Sequence, residues 1–222
     1  MSTRGRWYRS VKVCRMWVAS GAACVLVAAG VVIAAPPASA KVCDGTSVPC
    51  KIGDTGPGGG IVFYDAGTRQ AWGQYLEAVP CLYRDRRRCT TTSWVNKHDP
   101  RQQWCKADRI GLAERLPTSS AIGTGRSNTE IIIQACGPNS AAGVAAAYRG
   151  GGKDDWFLPS KDELNALYDQ RGVVGALAND YYWSSSLDSV SAYNAWHQYF
   201  GGGNQNSSHK VNAMRFRPVR AF

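Results

Sequence analysis

Tyr193, His197, Tyr199, Asn204, Gln205, Asn206 and His209 crowd into the last fifth of a 222-residue chain. Together they offer aromatic faces, amides and imidazoles within a short stretch. Across residues 181–213, Tyr, Ser, Asn and Gly supply 18 of 33 positions. The palette is that of an antibody paratope, in which rigid aromatics give contact area at low entropic cost and small polar residues give adaptable hydrogen bonds. Sugar recognition draws on the same materials, an aromatic face against C–H groups and amides against hydroxyls. These seven residues are therefore the first candidate ligand surface, with Trp183, Trp196 and Phe200 assigned to the core.

A second candidate is basic. Arg84, Arg86, Arg87 and Arg88 stand close together, interleaved downstream with Trp94 and Trp104. A guanidinium presents a planar fork that matches sulfate and carboxylate oxygens. Nucleic acid would use the same charges, but an exported chain does not meet it, so nucleic acid is not an expected partner.

Catalysis finds little support. His98, His197 and His209 have no nucleophile motif such as G-x-S-x-G near them and are read as surface or structural histidines. No C-x-x-C pair, H-E-x-x-H or D-x-D-x-D-G loop is present. No catalytic residue, metal ligand or cofactor is expected, and calcium has no motif to support it. Asp154-Asp155 and Asp162-Glu163 are read as capping or solvating helix ends.

The start of the chain reads as an export signal. Arg4, Arg6, Arg9, Lys12 and Arg15 form a basic region without acidic residues, Val18–Ala35 is apolar, and Ala38-Ser39-Ala40 gives the small side chains of a cleavage site. Pro36-Pro37 favours cleavage over retention as a membrane anchor, so contact with a membrane is expected only through an uncleaved signal. Setting Met1–Ala40 aside lowers the formal charge from +10 to +5, so half of the basicity belongs to targeting. Six cysteines remain: Cys43, Cys50, Cys81, Cys89, Cys105 and Cys136. An even number in an exported chain implies a disulfide framework, although six cysteines allow 15 connectivities; Cys43–Cys50 and Cys81–Cys89 would make local loops, and Cys105–Cys136 would then follow by elimination only. The expected location is secreted or at the extracellular cell surface.

Residues 41–222 are long enough for one domain with a real core. Ile61–Tyr64, β-branched and aromatic, is the first core strand after the glycine-rich turn Gly53–Gly60, and Gln74–Val79 pairs with it. Cys81–Arg109 is a basic, disulfide-pinned loop. Ser127–Ala135 and Ala141–Tyr148 are helices, the latter stopped by Gly150–Gly152. Ser160…Glu163 is a capping box opening a helix with Leu164, Leu167 and Tyr168 as its buried stripe and Gly172 as its stop. Tyr181–Ser185 and Tyr193–Phe200 are strands, Gly201–Ser208 is a wide polar turn, and Val211–Val219 is a closing strand with Met214 and Phe216 opposed to Arg215 and Arg217. Early strands, helices and a late antiparallel group predict an α+β domain.

These residues resemble a known family. Ile52–Tyr64, Ile122-Gly123-Thr124-Gly125 with Asn128-Thr129, Asp155–Leu164, Tyr182–Ser186 and Arg217–Phe222 look like the motifs of the C-terminal domain of the Legionella collagen-like adhesin and its bacterial relatives, in family order. The resemblance implies a C-type-lectin-like fold, a small antiparallel sheet flanked by two helices with a long loop region. It also implies a surface or secreted, glycan-binding adhesion role, with sulfated polysaccharide as a ligand class. The chain lacks collagen repeats, and its Cys81–Arg109 loop is longer and more basic than usual. Leu158-Pro159-Ser160…Glu163 also resembles the formylglycine-generating oxidases, but those need a late cysteine pair and no cysteine follows Cys136. The expectation is a non-enzymatic module that binds a glycan or other extracellular polymer, with a protein partner at the cell envelope as the alternative.

Overall fold

The computed structural model describes residues 42–80 and 99–222, together with the backbone of residues 83–85 and 88–89. The expected export signal (Met1–Ala40), His98, and the side chains of Arg84, Arg86, Arg87 and Arg88 lie outside the described residues, as does the expected Cys81–Cys89 pairing.

Ten strands and four helices follow one another along the described chain: β1 (Ile61–Gln70), β2 (Gly73–Ala78), β3 (Tyr83–Asp85), β4 (Arg88–Cys89), β5 (Arg101–Gln103), α1 (Gly125–Cys136), α2 (Ala141–Ala146), α3 (Lys161–Asp169), α4 (Arg171–Val174), β6 (Tyr181–Leu187), β7 (Asn194–Tyr199), β8 (Gln205–His209), β9 (Ala213–Arg215) and β10 (Val219–Ala221). Short 3₁₀ turns occupy Ala107–Ala113 and Gly150–Gly152. The class is α+β, as expected, but the strands form two principal sheets rather than one. The smaller is antiparallel with order β1-β2-β10; the larger has order β5-β9-β6-β7-β8, with only the β6–β9 contact parallel. β3 and β4 pair separately.

Each sheet face is closed by a different core. Trp104, Ile132, Leu158, Trp183 and Phe216 gather under α1 and α2, where the Cys105–Cys136 disulfide joins the start of the 3₁₀ turn region to the end of α1. Phe63, Leu76, Leu164, Leu167, Tyr182 and Val219 form the second core, between the smaller sheet and α3. Burying each such apolar side chain contributes roughly 1.5–3 kcal/mol. A third cluster seats the Cys43–Cys50 disulfide against Tyr75, with the Tyr75 ring stacked 5.5 Å from that of Phe222.

Two buried carboxylates organise the loops. Glu77 accepts hydrogen bonds from the Gly58 and Gly60 amides, at 2.9 and 2.8 Å, and from Arg220 Nη1 at 2.8 Å. The glycine run wraps this carboxylate so closely that a Cβ at Gly58 would stand 2.6 Å from Glu77 Oε1. Glu163 closes the capping box of α3: its Oε2 accepts from the Ser160 amide at 2.7 Å, and Ser160 Oγ accepts from the Glu163 amide at 3.3 Å. Its second oxygen accepts from Gly123 at 2.8 Å, tying the loop before α1 to the start of α3.

Several expectations are corrected. α3 ends at Asp169 and Gly172 lies inside the following α4; the glycine with positive φ that ends this helical stretch is Gly175 (φ 73°). The second helix stops at Ala146, two residues short, because Ala147 caps it. Half of the expected wide turn Gly201–Ser208 is strand, since Gln205–Ser208 pair with β7. The closing strand is interrupted. β9 belongs to the larger sheet and β10 to the smaller, and Phe216-Arg217-Pro218 carries the chain between them with Arg217 buried instead of facing solvent. Asp155 caps no helix but pairs with Arg220 Nε at 2.5 Å. Trp183 and Phe200 are core, whereas Trp196 is partly buried beneath the Lys161 ammonium, 3.6 Å from its ring centroid.

Candidate functional site

Alternation along three neighbouring strands decides which side chains share a face. The register aligns Tyr181 with Tyr199, Trp183 with His197, His197 with Asn206, and Ala195 with Ser208. Trp183 and Ala195 are buried in the α1 and α2 core. The remainder of that face is left uncovered, and there Tyr181, His197, Tyr199, Asn204, Asn206, Ser208 and Met214 line a pocket of about 320 Å³. The opposite face is anchored to α3: Gln198 Nε2 donates to Asn165 Oδ1 and Gln205 Nε2 to the Lys161 carbonyl, both at 2.9 Å.

The pocket wall is aromatic. The Tyr181 and Tyr199 rings lie 5.0 Å apart at 38°, and the Tyr181 edge meets His197 at 5.2 Å. Tyr199 in turn lies over the hairpin turn, where a Cβ at Gly201 would come within 2.5 Å of its ring. Small residues at the turn are thus what let the tyrosine lie down.

His197 sits at the base of this wall. It is 5 % exposed, Nε2 is 2.9 Å from Ser208 Oγ, and Nδ1 is buried without a hydrogen-bond partner among the described residues. Burial lowers its pKa below the usual imidazole value, so the ring is neutral at neutral pH. Among the described residues, therefore, no side chain lining the pocket carries a formal charge. Two guanidiniums nearby are already committed: Arg215 Nε donates to Asp180 Oδ2 at 2.7 Å, and Arg101 pairs with the same oxygen. Burial works to raise the Asp180 pKa, yet the Tyr181 amide and the two arginines prevail and hold it below the ordinary carboxylate range.

Of the seven late candidates, the structure brings His197, Tyr199, Asn204 and Asn206 together. His197, expected on an exposed surface, is buried as the floor of the pocket. Gln205 points to the other face, because β8 runs where a turn was expected. Tyr193 and His209 stack on each other, with rings 6.1 Å apart at 7°, outside the pocket lining. Tyr181, Ser208 and Met214 were missed. Alternation places Tyr181 and Ser208 once β6 and β8 are each paired with β7; Met214 enters only through the β6–β9 contact, which has no local signal.

A second recess runs beside α1. Trp72, Arg126, Glu130 and Phe157 line one part, of about 240 Å³, and Arg126, Glu130, Asp155 and Trp156 an adjoining part of about 330 Å³. Arg126 reaches Asp155 Oδ2 only at 3.4 Å. Among the described residues no three His, Cys, Asp or Glu side chains gather in a metal-holding group, and no helix is long and apolar enough to cross a membrane.

The family model of the Lcl C-terminal domain matches residues 65–220, more than two thirds of the chain and every residue of the pocket. No curated protein gives a significant sequence match.

Proposed function

The chain belongs to the Lcl C-terminal domain family, and from that premise we propose that it is an exported, non-enzymatic module that recognises a glycan through the pocket between β6, β7 and β8. Family membership and the two disulfides fit an adhesin-like extracellular domain, because disulfides persist in oxidising compartments. In this reading Met1–Ala40 is removed on export and residues 41–222 fold as one C-type-lectin-like domain.

The observation that carries the reading is the lining itself. Tyr181 and Tyr199 offer rings to the C–H face of a sugar, while Asn204, Asn206 and Ser208 offer donors and acceptors to its hydroxyls. A pocket held between paired strands is preorganised, which spares the entropic cost of ordering loops on binding.

The test is binding of the purified chain across a broad glycan panel, with Tyr199→Ala beside it. Saturable binding that Tyr199→Ala abolishes supports the reading; no binding above background at high micromolar concentration overturns it.

A protein partner at the envelope is the second reading, favoured by the recess beside α1, where Arg126 and Glu130 present opposite charges next to Trp72 and Phe157. Capture of an envelope protein that survives glycosidase treatment and is lost in Arg126→Glu supports it. The Arg84–Arg88 cluster remains a proposed contact for sulfated polymers.

A further inference from the structure

We infer that the ligand of the β6–β8 pocket is an uncharged unit of a saccharide, and that this pocket does not read sulfate or carboxylate groups. The inference rests on the glycan reading above and adds the chemical class. An anionic sugar entering a partly desolvated site is best matched by a compensating cation. Among the described residues the lining of Tyr181, His197, Tyr199, Asn204, Asn206 and Ser208 supplies none.

The imidazole of His197 would be the natural cation, but burial keeps it neutral. The guanidiniums of Arg215 and Arg101 lie outside the described lining, and both are paired with one oxygen of Asp180, which offsets part of their charge before any ligand arrives.

What the pocket does offer is unspent neutral hydrogen bonding. The Tyr181 and Tyr199 hydroxyls and the Asn204 amide make no hydrogen bond to any described residue, and Asn206 spends only Oδ1, on the Ser207 amide at 2.8 Å. Donor and acceptor functions are both present, which suits hydroxyl groups, since each hydroxyl both gives and accepts. The volume of about 320 Å³ lies at the small end of ligand pockets, roughly 300–1,000 Å³. One or two sugar units fill such a space.

The experiment presents the purified chain with neutral oligosaccharides (cello-, chito-, galacto- and manno-oligosaccharides) and the chemically sulfated form of each. Binding to at least one neutral member is expected. Its affinity should fall about tenfold or more in Tyr199→Ala and in Asn204→Ala, a loss of about 1.4 kcal/mol. Tyr199→Phe should retain most of it, because the ring remains. Raising salt from about 0.05 to about 0.5 M should change the affinity less than about twofold, since no charge pair is being screened. Sulfating the same oligosaccharide should weaken binding.

Tyr199-dependent binding seen only with sulfated forms, or lost with salt, overturns the uncharged class and leaves the glycan reading standing. Sulfated binding that survives Tyr199→Ala, with no neutral ligand found, belongs to another surface and overturns the inference as well. Binding to neither series overturns both.

Discussion

Arg217 grips Asp99 with two parallel hydrogen bonds, Nε to Oδ1 at 2.5 Å and Nη2 to Oδ2 at 2.9 Å, inside the seam where the chain passes from one sheet to the other. Two further donors go to the Val79 carbonyl at 2.8 Å and the Ala176 carbonyl at 3.1 Å, and the Tyr182 hydroxyl donates to Asp99 at 2.6 Å. Every strong polar group of the cluster is occupied, as a buried ion pair requires.

Asp99→Ala should therefore lower stability by about 3–5 kcal/mol, because it strands a buried guanidinium. Arg217→Lys should recover little, since an ammonium cannot make the two-point contact. Urea unfolding of the three proteins measures both; a shift near zero for Asp99→Ala would refute the role given to this pair.

Glu163 predicts a pH dependence of definite sign. Burial pushes its pKa up to about 7 against the hydrogen bonds from Ser160, Gly123 and Gly125, so the folded chain holds this proton more tightly than the unfolded one. The contribution is fully present below about pH 4.5 and is lost as pH rises through 7, on the order of 3 kcal/mol. Glu163→Gln should flatten the stability slope across that window. His197 acts in the opposite sense: its folded pKa is depressed, so its contribution is present above pH 6.5 and is lost on acidification, and His197→Phe should remove that loss. Unfolding midpoints from pH 4 to 8 separate the two.

Lys210 is fully buried, its pKa pushed down to about 8 by burial, and Nζ donates at 2.6 Å to the carbonyls of Ala113 and Ala192. It pins the β6–β7 connection to the 3₁₀ turn region. Lys210→Met leaves both carbonyls without a donor and should cost about 2–3 kcal/mol. Amide exchange should accelerate in residues 188–193 more than in β7; uniform acceleration would argue against a pin.

Two glycines should respond very differently to alanine. At Gly58 the new Cβ would lie 2.6 Å from Glu77 Oε1 and 2.9 Å from Trp156 Cζ2, whereas at Gly111 it meets nothing within 4 Å. Gly58→Ala should cost about 1–3 kcal/mol through overpacking and Gly111→Ala less than about 0.5 kcal/mol. Thermal unfolding compares them directly.

The two described disulfides should differ in weight. Cys105–Cys136 spans 31 residues and Cys43–Cys50 spans 7. The chain-entropy model gives about 3.5 kcal/mol for the first and about 2.5 kcal/mol for the second. Paired Cys→Ala substitutions, measured by urea unfolding, should reproduce that order.

Legibility in the sequence followed the range of the interactions. The capping box at Ser160 was readable because donor and acceptor are three residues apart, and the β1–β2 hairpin because its strands adjoin. His197 and Tyr199 fell on one face through simple alternation. Gln205 was misplaced because the polar run Gly201–Ser208 has turn composition, and only the ladder with β7 makes half of it strand. The glycine run looked like a turn, yet its role is set by Glu77, seventeen to nineteen residues on. The break between β9 and β10 has one local mark, Pro218, which has no N–H to give to a ladder; the contact that buries Arg217 there comes from Asp99, 118 residues earlier.

The position of β10 has a bearing on the order of events during synthesis. Ala78 faces Ile61 on one side and Val219 on the other, so the central strand of the smaller sheet stays half-paired until some of the last residues emerge. Contacts of such long sequence separation form slowly. A polypeptide arranged in this way completes its smaller sheet only when strands about 140 residues apart along the chain have met.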